Sequence, residues 1–242
     1  MAKTFRKSWP ATVPLILYAE DFEPDVHVDS VRALPGWFTA WKKRHVRNLD
    51  ANGLDVSRNR RHVPYDYRRN CVKFAHKVAA LCDAAERNTS STMIWADADV
   101  VTHADVDELW LRQFRPHDGG FMSWLDRRRV YPECGFMVFS AEHDRFLDFF
   151  DRLRTAYETD AVFKLGETHD SYVIQKLVAA CVSEGWFPEP SSLSGKHNVS
   201  HHPFTLCELG SRLDHAKGRR KVLHGRTPVH EAWGHRKEAY WQ

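Results

Sequence analysis

The feature that most constrains the fold is an amphipathic helix that leads through a short polar loop into an apolar strand. Apolar residues recur at helical spacing within 69–87, so this stretch predicts a helix with one buried face. A polar loop at 88–91 precedes the strand-like run 92–96. A helix, a short loop and a buried strand in this order are typical of α/β proteins. We therefore predict an α/β fold with a mostly parallel mixed sheet that is flanked by helices.

Further elements follow the same alternation. We predict strands at 13–19, 121–125 and 135–140, and helices within 31–47, 105–114, 144–157 and 170–182. A last short strand is expected after 185–188. The 242 residues fit one domain, 1–242, with a basic and loop-rich C-terminal segment from about residue 190.

Composition excludes several classes of protein. The chain is 43% hydrophobic and 12% aromatic, which is enough to build a core and excludes general disorder. No apolar run approaches the roughly 20 residues that a membrane helix needs, and no secretion signal is expected at 13–19. The five cysteines are scattered and form no Cys-x-x-Cys pair. We therefore expect a protein of a reducing cytoplasm, or of the host cytoplasm if a virus encodes it.

Two carboxylates follow the strand at 92–96. Asp97 and Asp99 lie one residue apart, so alternation along an extended chain sends both to the same side. Paired carboxylates repel each other and are costly to desolvate unless a cation lies between them. Mn²⁺ or Mg²⁺ carrying a phosphorylated ligand is the natural counter-charge, because hard cations prefer oxygen ligands. The alternative is a solvated acidic turn that caps the next helix.

Positive charge is concentrated in two windows. Residues 42–69 contain nine Lys and Arg against three Asp, and residues 217–226 contain five with no acid, although the net charge of the chain is only +3. Such windows indicate either a polyanion-binding surface, nucleic acid being the commonest polyanion, or an ordinary solvated surface. The candidate nucleic-acid contacts are Lys42, Lys43, Arg44, Arg60, Arg61, Arg127, Arg128 and Arg129.

Two enzyme families use an acidic pair of this kind. In haloacid-dehalogenase-type phosphatases the first motif reads Asp-x-Asp-x-(Thr/Val), which residues 97–101 satisfy. That motif normally lies near the N-terminus and is followed by a Gly-Asp-x-x-x-Asp element, which this sequence lacks. In nucleotide-sugar glycosyltransferases of the GT-A type, which have a Rossmann-like domain, the pair holds the metal against the diphosphate of the sugar donor.

Residues 215–221 resemble the C-terminal His-x-x-Gly-x-x-Lys element of glycogenin-like GT-A enzymes. The resemblance implies that His215 is the third protein ligand of the metal. It also implies that Gly218 lets the diphosphate approach the backbone and that Lys221 neutralises phosphate oxygens. Both chemistries are reasonable, because an imidazole completes a carboxylate site and a cation offsets leaving-group charge.

Other segments are similar to further parts of GT-A enzymes. Residues 133–136 (Glu-Cys-Gly-Phe) look like the strand that lines the sugar pocket, so Glu133 is a candidate for contacting sugar hydroxyls and the second candidate for the catalytic base. Asp170 is the first candidate for that base, which an inverting transferase needs to take the proton of the attacking hydroxyl; the alternative is a helix N-cap. Glu20, Lys73 and Lys77 are assigned to donor binding.

An ordered set of segments resembles a narrower group, the DNA-base glucosyltransferases related to the base J enzyme, which occur in phages, bacteria and kinetoplastids. The set comprises 67–69 with Lys73 and Lys77 on the following helix, 95–100, 133–136, 169–171, 202–204, 209–210 and 214–221. The resemblance implies transfer of glucose from UDP-glucose, or of another hexose from its UDP derivative, to a hydroxymethylated pyrimidine such as hydroxymethyluracil in DNA. The basic windows suit a DNA acceptor. No membrane and no obligate protein partner are expected.

Two alternatives stay open at the level of sequence. One is a GT-A transferase that acts on a glycan, a lipid or a protein. The other is a non-catalytic nucleic-acid-binding module on a degenerate enzyme scaffold.

Overall fold

A computed structural model describes residues 2–21, 23, 28–54, 65–217, 225–232 and 234–242 of the protein. Within these residues the helices are α1 (Ala2–Ser8), α2 (Gly36–His45), α3 (Cys71–Glu86), α4 (Glu108–Arg112), α5 (Phe146–Glu158), α6 (Asp170–Ser183), α7 (Pro203–Leu206) and α8 (Val229–Ala232). The strands are β1 (Ile16–Tyr18), β2 (Ser30–Arg32), β3 (Thr92–Ala96), β4 (Val100–Thr102), β5 (Met122–Leu125), β6 (Glu133–Ser140), β7 (Ser191–Ser192) and β8 (Leu213–His215). The predicted α/β class is confirmed.

The chain divides into two compact units. We call Met1–Arg32, Thr92–Ser140 and Pro190–Gln242 the sheet unit, and Ala33–Ser91 and Ala141–Glu189 the helical unit. In the helical unit α3 packs against α5 and α6. Helix α3 begins where the sequence predicts, because the side chain of Asn70 accepts a hydrogen bond from the backbone N–H of Lys73 (3.0 Å) and caps the helix.

The largest described sheet lies in the sheet unit and has the spatial order β3-β6-β5-β7. Within this sheet, strand β6 pairs antiparallel with both β3 and β5, and β5 and β7 are parallel; β1 and β2 form a separate parallel pair. The prediction of a mostly parallel sheet is therefore wrong, although the sheet is mixed as expected. The reason is the short connection 126–132 between β5 and β6, because parallel neighbours need a long crossover and a short loop reverses the chain.

The core of the sheet unit covers one face of β6. Phe136 and Val138 pack there with Leu125 of β5, Trp110 of α4 and Phe204 of α7, all of them buried. Full burial of each such side chain contributes about 1.5–3 kcal/mol. This packing holds β6 in position. Because β3 pairs with β6, it also sets where β3 ends.

A separate two-stranded ladder brings the C-terminal part of the chain to the end of β3. Strands β4 and β8 are antiparallel, with Val100 opposite His215, Val101 opposite Asp214 and Thr102 opposite Leu213. The sequence did not predict this ladder. All five cysteines are buried and none forms a disulfide. Burial raises the pKa of Cys71 and of Cys207 to about 12. Among the described residues no helix has both the length and the apolar character that crossing a membrane requires.

Candidate metal centre

The acidic pair lies in a tight turn at the end of β3. The backbone N–H of Asp97 donates to the carbonyl of Gly135 on β6 (2.9 Å), and the N–H of Val100 donates to the carbonyl of Asp97 (2.9 Å). The indole N–H of Trp95 donates to Oδ1 of Asp97 (2.7 Å) and orients that carboxylate. Neighbouring backbone and one aromatic side chain therefore set the position of Asp97.

The ladder of β4 and β8 places an imidazole against the two carboxylates. His215 Nε2 lies 3.0 Å from Oδ1 of Asp99 and 3.8 Å from Oδ2 of Asp97. The His215 side chain is buried, whereas both aspartates are partly exposed. The structure thus brings together the three residues that the sequence proposes as metal ligands.

The chemistry of this group suits a divalent cation. One potential ligand atom from each of Asp97, Asp99 and His215 lies within 4.8 Å of the others. The two carboxylate oxygens suit Mn²⁺ and Mg²⁺, and the imidazole nitrogen is a ligand that transition metals accept. The residues present therefore fit the metal that the sequence implies.

Glu133, at the start of β6, lies behind the imidazole and is 3% exposed. Its Oε1 lies 3.1 Å from Nδ1 of His215, and its Oε2 lies 2.8 Å from Nζ of Lys217 and 3.5 Å from Nδ1 of His202. Although burial by itself would raise the pKa of this carboxyl group, the contacts with the two histidines and the charge of Lys217 hold the pKa well below its ordinary value. Glu133 was predicted to contact sugar hydroxyls or to serve as the second candidate base. Its buried position and its three protein partners favour a supporting role instead.

The remaining candidates, for the catalytic base and for donor binding, lie in different environments. In the helical unit, the carboxylate of Asp170 lies 2.5 Å from Nζ of Lys77, and both side chains are largely buried. Asp170 is the first residue of α6, but the N-cap is His169, whose side chain accepts the N–H of Tyr172. A capping role for Asp170 is therefore excluded. Lys73 is exposed on α3, and Glu20 is exposed in the sheet unit.

The candidate nucleic-acid contacts differ in their exposure to solvent. Arg128 and Arg129 are exposed, whereas Arg127 is half-buried and donates to the backbone carbonyls of Tyr131 (2.8 Å) and His201 (3.0 Å). Arg127 therefore has a structural task in its loop. Lys43 and Arg44 are exposed on α2, and Lys42 lies beside His76 (3.3 Å). The candidates Arg60, Arg61, Gly218 and Lys221 lie outside the described residues.

Two residues of the centre received no role from the sequence. Trp95 orients Asp97, and Lys217 is the charged partner of Glu133. The position of Trp95 two residues before Asp97 was a usable signal, because residues at this spacing share a face of a strand. In comparisons with known proteins, no family model matches the chain and no similar curated protein is found.

Proposed function

We propose that the protein is a metal-dependent glycosyltransferase that moves a hexose, glucose in the first instance, from its UDP derivative to a hydroxymethylated pyrimidine base in DNA. The observation that carries the proposal is the convergence of Asp97, Asp99 and His215 from separate segments at the end of β3. A solvated acidic turn does not by itself require a buried imidazole that faces both carboxylates, whereas a metal site uses all three groups.

The chain's own residues have distinct tasks in this proposal. Asp97, Asp99 and His215 would hold Mn²⁺ or Mg²⁺. The metal, when bound, acts as a Lewis acid that stabilises the charge on the departing diphosphate. Asp170, in the helical unit, is the candidate for the general base, because an inverting transfer needs a carboxylate to take the proton of the acceptor hydroxyl. Lys77 holds the carboxylate of Asp170 in place through their ion pair.

The DNA acceptor is supported by the resemblance to base J-related enzymes and by exposed cationic side chains. Arg128 and Arg129 in the sheet unit, and Lys43 and Arg44 in the helical unit, present charge to solvent. Duplex DNA is bound mainly through its phosphates, so such side chains supply affinity without reading sequence. The cytoplasm, where UDP-sugars and DNA meet, is the proposed location.

A transfer assay tests the proposal. Wild-type protein is incubated with UDP-glucose, Mn²⁺ and DNA that contains hydroxymethyluracil or hydroxymethylcytosine, and the digested nucleosides are examined for a gain of one hexose in mass. We expect the gain on the hydroxymethylated base only, and its loss in Asp99→Ala with DNA affinity nearly unchanged.

Other outcomes overturn the proposal. Transfer to glycan, lipid or protein acceptors but not to DNA would refute the DNA part. A DNA affinity that is the same with and without metal and UDP, together with no sugar transfer, would identify a non-catalytic binding module. Undiminished transfer by Asp99→Ala would refute the metal assignment.

A further inference from the structure

We infer that Glu133 and Gly135 position the His215 imidazole as a metal ligand. Glu133 then acts on the metal through His215 and does not touch substrate. The inference rests on the proposed metal centre and deepens it. It also gives the Glu-x-Gly pattern of β6 a physical reason that does not involve a sugar pocket.

Glu133 determines which ring nitrogen of His215 faces the acidic pair. An ionised carboxylate can only accept hydrogen bonds, so the 3.1 Å contact with Oε1 requires the proton on Nδ1 of His215. The other nitrogen, Nε2, lies 3.0 Å from Oδ1 of Asp99, where the same rule makes it a donor. A cation bound by Asp97 and Asp99 would therefore replace the proton on Nε2, while Glu133 keeps the one on Nδ1. A carboxylate behind the imidazole commonly fixes the tautomer and the orientation of metal-binding histidines.

Gly135 supplies the space for the ring. Glu133 and Gly135 both face the His215 ring, although the register of β6 against β5 shifts at this point. A Cβ atom added at Gly135 would lie 2.5 Å from both Cε1 and Nδ1 of His215, which is closer than carbon atoms in contact can approach. The ring of Phe204 packs at 5.4 Å between centroids, so the imidazole is enclosed on another side as well.

Lys217 compensates the charge of the buried Glu133 carboxylate. Its Nζ lies 2.8 Å from Oε2 of Glu133, on the oxygen that does not contact His215. A buried charge without such a partner is costly. The two oxygens of Glu133 are thus divided between a positioning contact and a compensating one.

The test measures Mn²⁺ affinity by the decrease of the free Mn²⁺ signal in electron paramagnetic resonance, for wild type, Glu133→Gln and the exposed control Glu108→Gln. We expect Glu133→Gln to weaken Mn²⁺ binding by about 10–100-fold, the range for loss of a partner that orients a ligand. The control should match wild type. Circular dichroism establishes whether each variant is folded.

A spectroscopic readout separates positioning from a general structural effect. With Zn²⁺ as a diamagnetic probe, nitrogen-15 spectra of the histidine rings should show His215 protonated on Nδ1 and metal-bound at Nε2 in wild type, and this signature should be lost in Glu133→Gln. If Glu133→Gln does not fold, Glu133→Asp carries the test, since it keeps the charge but withdraws it from His215, and the same weakening is expected.

The outcomes distinguish this inference from the proposed function. A folded Glu133 variant with wild-type Mn²⁺ affinity and an unchanged His215 signature would overturn the inference alone, even if wild type transfers glucose. Weakened metal binding in the variant supports it even if no acceptor is ever glycosylated. Wild-type protein that binds no Mn²⁺ would overturn both.

Discussion

Among single residues, Gly135 matters most to the candidate metal centre, because the absence of a side chain there leaves room for the His215 ring. Gly135→Ala should displace the imidazole, because the added methyl group would lie 2.5 Å from two ring atoms. We expect a loss of stability of about 1–3 kcal/mol from overpacking. We also expect Mn²⁺ affinity to fall by about tenfold or more, as when a ligand's orientation is disturbed.

Calorimetric Mn²⁺ titration and chemical unfolding measure the two effects of Gly135→Ala. Gly36→Ala is the matched control, since nothing lies within 4 Å of a Cβ added at that position. Equal Mn²⁺ affinity in Gly135→Ala and Gly36→Ala would show that the position of the His215 ring does not depend on a glycine at residue 135.

His103 should make the stability of the sheet unit depend on pH. Burial lowers the pKa of this imidazole, whose ring stacks on Tyr240 with 4.0 Å between centroids. A lowered folded-state pKa means that the unfolded chain binds the proton more readily. The stabilisation is therefore present above the ordinary pKa of about 6.5 and is lost as the pH falls from there through the folded-state pKa.

His103→Phe keeps a stacked ring and cannot be protonated. Between pH 7.5 and pH 5.0 this variant should lose less thermal stability than wild type, as followed by circular dichroism. An identical loss in both proteins would assign the acid sensitivity to other groups.

At the scale of elements, the C-terminal segment ties down the strand that carries His215. Asp214 on β8 is fully buried, and its Oδ2 accepts the backbone N–H of Thr227 (2.7 Å) and the hydroxyl of Tyr240 (2.9 Å). The indole N–H of Trp241 donates to the carbonyl of Gly210 (2.8 Å) just before β8. Thr227, Tyr240 and Trp241 therefore help to hold β8, which carries His215, in place.

Tyr240→Phe should destabilise the protein by about 1–3 kcal/mol, because a buried carboxylate loses one of its donors. Urea unfolding measures the change. Tyr65→Phe is the control, since Tyr65 is exposed and its hydroxyl accepts an exposed hydrogen bond from Nδ2 of Asn70 (3.1 Å), whose removal should change stability by no more than about 0.5 kcal/mol. A neutral Tyr240→Phe would contradict the role given to this segment.

Elements with a strong local pattern were the predictable ones. Helix α3 and strand β3 follow from the apolar stripe at 69–87 and the apolar run at 92–96, and both are confirmed to within two residues. The ladder of β4 and β8 was not predictable, because each strand has only three residues and its partner lies in a distant segment. His215 was proposed as a ligand from motif resemblance, whereas the partners of Glu133 depend on tertiary contacts that no local pattern encodes.

At the scale of the whole molecule, net charge and local contacts make different predictions for DNA binding. Replacing exposed Arg128 and Arg129 by Ser should weaken DNA affinity. It should also lower the slope of log affinity against log salt by about 2, since each phosphate contact contributes about 0.9. Mn²⁺ affinity should not change.

The control removes the same charge elsewhere. Lys164 and Lys176 are exposed in the helical unit and have no assigned DNA contact, so their double replacement by Ser should leave the slope nearly intact. Equal losses in the two double variants, measured by fluorescence anisotropy over a range of salt concentrations, would indicate attraction by net charge alone.

In the proposed function, Asp97, Asp99 and His215 hold a divalent cation that binds a nucleoside diphosphate. Calorimetric titration of UDP-glucose into the protein with Mn²⁺, repeated with EDTA and with Asp99→Asn and His215→Gln, tests it most directly. We predict saturable binding in wild type with Mn²⁺, its loss in EDTA, and a weakening of about tenfold or more in each variant. UDP-glucose binding that is the same in EDTA, or the same in both variants as in wild type, would contradict the account.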